Sequence, residues 1–168
     1  MSQYLTTLEL QKESMTFNAG HTTIFSATER EPLHGHYYQV AVAVDTWVCE
    51  NGMKFDYRYY KKRVGDLCKH LNQTFLMPMY SPHLIFSEDQ EYYYFKFNHK
   101  TMPFLKEDVT LMPLTNITVE ELSRWFVQEL TKDERELQNL AIEGINVKVF
   151  SAPGQSAGFI WKRHINKE

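Results

Sequence analysis

Three histidines stand out for what their spacing can do. His34 and His36 flank a single glycine, Gly35, at the start of a run with strand-like alternation. Successive side chains of a strand leave on opposite faces, so residues two apart share a face and both imidazoles project the same way. Gly35 removes a side chain between them, which eases close approach of a ligand or of backbone. His21 closes an earlier strand-like segment. If that segment pairs antiparallel with the second through the intervening loop, the third imidazole returns beside the other two. Three imidazoles with an open fourth position match a catalytic zinc rather than a closed structural site, and neutral nitrogen ligands favour zinc over magnesium or calcium. His70, His83, His99 and His164 show no such spacing and read as surface residues.

The elements that must carry these residues follow from periodicity. Residues 8–17 and 37–47 alternate as strands do, with a charged, proline-containing loop over 22–33 between them. Asn51-Gly52 is a turn signal, and the segment 56–73 places Tyr60, Val64, Leu67, Cys68 and Leu71 at spacings of three and four, a helix with Asp56 as its N-cap. Two further strands are expected at 84–86 and 92–97 around the polar turn Glu88-Asp89-Gln90. Their tyrosines and phenylalanines suit a sheet flanking a subunit contact, or packing on their own helices. A second helix spans 118–130, with Thr118 as cap, Glu121 in capping-box position and Leu122, Trp125, Phe126 and Leu130 on one side. Strands at 144–150 and 156–161, joined by residues 152–155, close the chain. The order is strand, strand, helix, strand, strand, helix, strand, strand, without a dinucleotide-binding glycine fingerprint, and it implies an α+β domain on an antiparallel sheet.

Composition narrows the partners. The 168 residues fit one domain over 1–168, large enough to bury a core without disulfides. Cys49 and Cys68 lack ligand spacing, so a reducing cytoplasm is expected. No basic leader or 18-residue apolar stretch points to a membrane. With 18 basic and 21 acidic residues the formal charge is −3. Lys61, Lys62 and Arg63 read as the wet face of a helix, so nucleic acid is a poor partner.

Phe17-x-x-x-His21 followed by Leu33-His34-Gly35-His36-x-Tyr38 resembles the zinc-binding signature of the 6-pyruvoyl tetrahydropterin synthase and 6-carboxytetrahydropterin synthase family. The similarity continues through Gly52-Met53-x-x-Asp56-Tyr57, residues 71–78, 114–125 and 147–159. The resemblance implies a tunnelling fold: a four-stranded antiparallel sheet with two helices on one face, its subunits closing into a barrel as a trimer or a dimer of trimers. It also implies a Zn2+ site at the subunit interface that acts on a pterin-like small molecule, dihydroneopterin triphosphate. A metal on adjacent hydroxyls stabilises charge while a nearby base moves a proton.

The chain departs from that pattern at three places. No cysteine precedes His-Gly-His; Glu31 stands three residues before His34, similar to a variant subgroup that forms 6-hydroxymethyl-dihydropterin. Glu31 is thus the candidate base or acid, the alternative being a loop glutamate paired with Arg30 or a lysine. Asn72 and Gln73 occupy the usual Asp-His pair and exchange no proton near neutral pH. His83 is the preferred substitute, with His70 also available. Ser151 takes the place of a ring-binding glutamate, offering one neutral acceptor for two charged ones, with Glu143 as a replacement if the register differs. Thr118 and Glu120 match a Thr-x-Glu that helps hold the ring, although a helix cap and first-turn acid need no ligand. Gln155, in a Pro-Gly-Gln-Ser turn, offers a further polar contact. The leading reading is a zinc-dependent pterin lyase. The alternatives are a same-fold zinc enzyme for a different small substrate and a non-catalytic zinc-containing binding protein.

Overall fold

The computed structural model describes residues 3–163; His164 lies outside them. The described chain runs β1 (Tyr4–Leu10), β2 (Thr16–His21), β3 (His34–Val48), α1 (Arg58–Leu71), β4 (Thr74–Pro78), β5 (Ile85–Glu88), β6 (Tyr92–Phe97), β7 (Lys100–Leu105), β8 (Val109–Met112), α2 (Val119–Leu130), α3 (Glu134–Asn139), β9 (Ile142–Ala152) and β10 (Gln155–Lys162). None of these helices is long and apolar enough to cross a membrane.

The long strand β3 is the spine. Its alternation buries Tyr38, Val40, Val42, Val44 and Val48 on one face and leaves Tyr37, Gln39 and Trp47 exposed on the other. β9 pairs along one edge of β3. The other edge is shared end to end: β2 pairs with residues 34–39 and β1 with residues 42–48. The single strand expected at 8–17 is therefore two strands. The reason is parity, because the inward residues are Leu8 and Leu10 before the break but Met15 and Phe17 after it. A strand with a period of two cannot bury both sets, so residues 11–15 turn, with the Met15 N–H on the Lys12 carbonyl at 2.9 Å.

The expected four-stranded antiparallel sheet corresponds to β10-β9-β3-β2. The sheet is larger, seven strands in the order β10-β9-β3-β2-β4-β8 with β1 also on β3. β4 and β8 add in parallel. Both escape a periodicity reading because they are covered on two sides and read as short apolar runs. Leu76 of β4 enters the main core, whereas Met77 and Val109 join a second cluster. That cluster is built under a small antiparallel sheet, β5-β6-β7, through Phe86, Phe95, Met102 and Phe104. β7 was also unexpected; Pro103 within it is tolerated because β7 is an edge strand.

The expected helices α1 and α2 lie on one face of the large sheet. Tyr60, Val64, Cys68 and Leu71 of α1 and Leu122, Trp125, Phe126 and Leu130 of α2 share a core with Val147 and Val149 of β9. Each fully buried side chain of this size contributes about 1.5–3 kcal/mol relative to exposure. Thr118 caps α2 by accepting the Glu121 N–H at 3.3 Å, but Glu121 does not complete a capping box because its carboxylate takes Arg124 at 2.6 Å. Asp56 is not the N-cap of α1; Tyr57 holds that position, and Asp56 accepts the Arg58 N–H at 2.9 Å from one residue further out. The short α3, absent from the expected order, buries only Leu137 and so carries little periodic signal.

Candidate metal centre

The β2–β3 register places His21 directly opposite His34 and Ala19 opposite His36. His34, His36, Tyr38 and Val40 alternate onto the helix-covered face, so the centre sits where the main core reaches the sheet's end. The three rings lie 4.5, 5.1 and 4.8 Å apart by centroids. Their ligand-capable nitrogens all lie within 4.8 Å of one another. The Nε2 atoms of His34 and His36 are 3.0 Å apart. Nitrogens bound at about 2.0–2.1 Å to a tetrahedral zinc stand roughly 3.3 Å apart, close to that spacing.

Backbone carbonyls fix two of the tautomers. His21 Nδ1 donates to the Ile117 carbonyl at 2.9 Å, and His34 Nδ1 to the Pro32 carbonyl at 2.9 Å. A carbonyl only accepts, so each Nδ1 carries the proton and each Nε2 presents a lone pair. His21 Nε2 is buried and has no partner among the described residues. Burial lowers the His21 pKa to about 4, with His34 and His36 adding to the fall against the Ile117 bond; burial lowers His36 as well. Neutral imidazoles with an orphaned inward nitrogen fit a bound divalent metal.

The glycines beside the centre serve strand packing. Gly20 and Gly35 face each other across β2 and β3. A Cβ on Gly20 would stand 2.5 Å from the Phe75 ring, and one on Gly35 would stand 3.3 Å from the Ala19 carbonyl oxygen. What Gly35 accommodates is therefore neighbouring backbone.

Glu31 hangs in the 22–33 loop, which folds back on itself. Its N–H donates to the Thr23 carbonyl at 2.9 Å, and its own carbonyl accepts the Thr22 hydroxyl at 2.7 Å. Its carboxylate accepts the Thr23 N–H at 3.3 Å, and that partner, helped by His34 and His21, holds the carboxyl below its ordinary range. Arg30 bonds the Glu31 carbonyl at 2.7 Å rather than its carboxylate, so the loop ion pair weighed as the alternative is not formed with Arg30. Asn116 pins the loop in both directions, accepting the Ile24 N–H at 3.1 Å and donating to the Ile24 carbonyl at 2.9 Å. Nothing in the sequence marks Asn116, although it lies beside Ile117, which orients His21.

The other candidates are dispersed. Thr118 follows Ile117, but its hydroxyl is committed to the helix cap; Glu120 is exposed one turn-step on. Ser151 is buried, and its hydroxyl has no partner among the described residues. Because Gln39 pairs with Phe150, Ser151 stands level with Tyr38, two residues along β3 from His36. Gln155 is exposed at the start of β10. Glu143 faces Arg163 at 4.0 Å. His83 lies in the loop after β4, its N–H on the Ser81 hydroxyl at 3.4 Å, and no hydrogen bond or ring contact among the described residues joins it to the three histidines. His70 is exposed at the end of α1. Asn72 accepts the Asn18 N–H at 2.8 Å, and the Gln73 N–H donates to the Asn18 carbonyl at 2.7 Å. These two residues bolt α1 to β2.

Fold and site together define an α+β protein with a three-histidine centre suited to one divalent metal. The model of the 6-pyruvoyl tetrahydropterin synthase family matches residues 9–159, and the chain belongs to that family. The chain is similar to the Plasmodium falciparum 6-pyruvoyl tetrahydropterin synthase structure, with 25% identity, a TM-score of 0.89 and coverage of 95% of this chain and 99% of that one. The Plasmodium vivax enzyme gives the same values. A Methanocaldococcus jannaschii protein, provisionally named a 6-carboxy-5,6,7,8-tetrahydropterin synthase, is 26% identical over 159 residues, covering 90% of this chain and 91% of its own.

Proposed function

We propose that the protein is a zinc-dependent lyase acting on dihydroneopterin triphosphate or a close pterin relative, with 6-hydroxymethyl-dihydropterin as the product. The observation that carries this reading is Glu31, a carboxylate held ionised in a pinned loop that begins at one histidine of the cluster and ends at another. His21, His34 and His36 would hold the zinc, which when bound would supply a Lewis acid for the hydroxyl oxygens of the substrate's side chain. Glu31 takes the proton of the outer hydroxyl. The oxygen's electron pair forms a C=O on the outer carbon as the carbon–carbon bond beside it breaks, the electron pair of that bond passes to the ring-side carbon, Glu31 returns the proton there, and the outer fragment leaves as a phosphorylated aldehyde. Variants of the Plasmodium vivax enzyme described as catalytic-residue mutants replace a glutamate, the residue type present at 31 here.

The pterin ring is assigned to the side of the cluster where α2 begins and β9 ends. Thr118, Glu120, Ser151 and Gln155 are its polar contacts in this reading, and His83 is the second candidate proton carrier. The outer strands β8 and β10 each leave one edge unpaired among the described residues, which supports a homo-oligomer, a trimer or a dimer of trimers. A cytoplasmic setting belongs to the same reading.

The test mixes zinc-loaded protein with dihydroneopterin triphosphate and follows every pterin formed by chromatography with mass detection, alongside Glu31→Gln. A hydroxymethyl pterin formed by the unaltered protein and lost in the metal-retaining variant is the expected result. Unchanged substrate with verified metal would count against it. Ser151 favours a second reading, a different small substrate on the same centre, because one hydroxyl cannot match a carboxylate's two acceptors.

A further inference from the structure

Beside Glu31 the 22–33 loop and the turn between β6 and β7 enclose a cavity of about 380 Å³, within the size range of small-molecule sites. Arg30, Glu31, Phe97, Asn98, Lys100 and Met102 line it. Arg30 is half-buried, and its guanidinium lies over the Phe97 ring with 5.8 Å to the centroid. That stacking, with one bond from Nη1 to the Glu31 carbonyl, fixes the planar group while its remaining N–H donors are uncommitted among the described residues. Lys100 brings a second cation to the same cavity, and no hydrogen bond or ion pair engages its ammonium group among the described residues. A stacked guanidinium with spare donors and a free ammonium are the groups that recognise phosphoryl oxygens, the first by forked hydrogen bonds and the second as a point charge.

We infer that this cavity is an oligophosphate subsite, in which Arg30 and Lys100 hold the phosphorylated tail of the substrate while Glu31, on the shared wall, faces the reacting carbons. The inference rests on the proposed pterin reading for its substrate. Glu31 links the two, since it lines this cavity while His34 and His21 lie close enough to act on its carboxyl. The small sheet β5-β6-β7 then has a role beyond covering β4 and β8: its β6–β7 turn delivers Lys100 and the ring under Arg30. Glu29 also lines the cavity, and its carboxylate opposes an anionic tail.

The test measures binding of inorganic tripolyphosphate, presented with excess magnesium so that it does not draw on bound zinc, to zinc-loaded protein by titration calorimetry. Lys100→Ala and Arg30→Lys should each weaken binding by about tenfold or more, as expected for charge-assisted bonds to phosphate, and Glu29→Gln should tighten it. In turnover, Lys100→Ala should raise KM for dihydroneopterin triphosphate far more than it lowers kcat. No tripolyphosphate binding, or binding unchanged in both cation variants, overturns the subsite. Wild-type protein that binds tripolyphosphate through these residues yet leaves dihydroneopterin triphosphate unchanged overturns the function proposed above and retains the subsite for another phosphorylated ligand.

Discussion

His21 and Ile117 are separated by 95 intervening residues, yet the imidazole Nδ1 meets that carbonyl at 2.9 Å and is thereby compelled to carry the ring proton. The bond joins the β2–β3 pair to the segment entering α2, so the tautomer of a candidate metal ligand is set by the packing of a helix start against a strand end. Asn116, the neighbour of Ile117, ties the same segment to the loop holding Glu31.

Asn116→Ala removes both bonds to Ile24 and loosens the support of His21 and Glu31 together. Outer-shell losses typically lower metal affinity by about 10–100-fold. Zinc competition against a chromogenic chelator should show a fall of that order with the fold retained by circular dichroism. Direct loss of a ligand in His34→Ala should be more severe, leaving less than stoichiometric zinc after dialysis.

His21 titrates at about 4 instead of 6.5, chiefly because burial penalises the charged ring. In metal-free protein the unfolded chain binds more protons than the folded one between those values, so stability is full above 6.5 and falls as the pH falls through the window. Urea midpoints of metal-free protein should drop between about pH 7 and about pH 5, and the drop should shrink in His21→Gln. An equal slope in that variant would place the acid sensitivity elsewhere.

Gly20→Ala drives a methyl group toward the Phe75 ring. Overpacking of this kind costs about 1–3 kcal/mol, and the urea midpoint should fall accordingly. Phe75→Leu in the same chain should recover much of the loss, because it makes room where the methyl group lands. If the double variant is no better than Gly20→Ala alone, the clash is not with that ring.

Ser151→Ala deletes a buried hydroxyl that has no hydrogen-bond partner among the described residues, so stability should stay within about 0.5 kcal/mol or rise. Ligand affinity is the informative readout. A hydroxyl that awaits a ligand should cost about tenfold in KM when removed, whereas an unchanged KM would assign ring recognition to other residues.

The histidine cluster was legible because a period of two is a local property: His34 and His36 share a face whatever the rest of the chain does, and His21 needed only one antiparallel pairing. The amphipathic helices α1 and α2 were legible for the same reason. β4 and β8 were not, since burial on both sides erases alternation, and the 11–15 break was hidden because both halves look strand-like until their inward parity is compared. Asn116 gives no sign of itself, as its role depends on where two distant segments meet. In the sequence Asn72 and Gln73 show only a loss of proton chemistry; the structure adds what occupies them, a pair of hydrogen bonds to Asn18.

β3 runs without interruption over 15 residues, from His34 and His36 at one end into the core through the buried Val40, Val42 and Val44. In hydrogen-exchange terms, the amides of the strand's buried middle are expected to open last and those around the two histidines are joined to them by one continuous ladder, whereas Glu31 lies on a loop closed by a handful of bonds. The two candidate ligands on β3 are thus tied to the opening of the sheet itself, while the carboxylate beside them can open and reclose many times within one lifetime of the folded state.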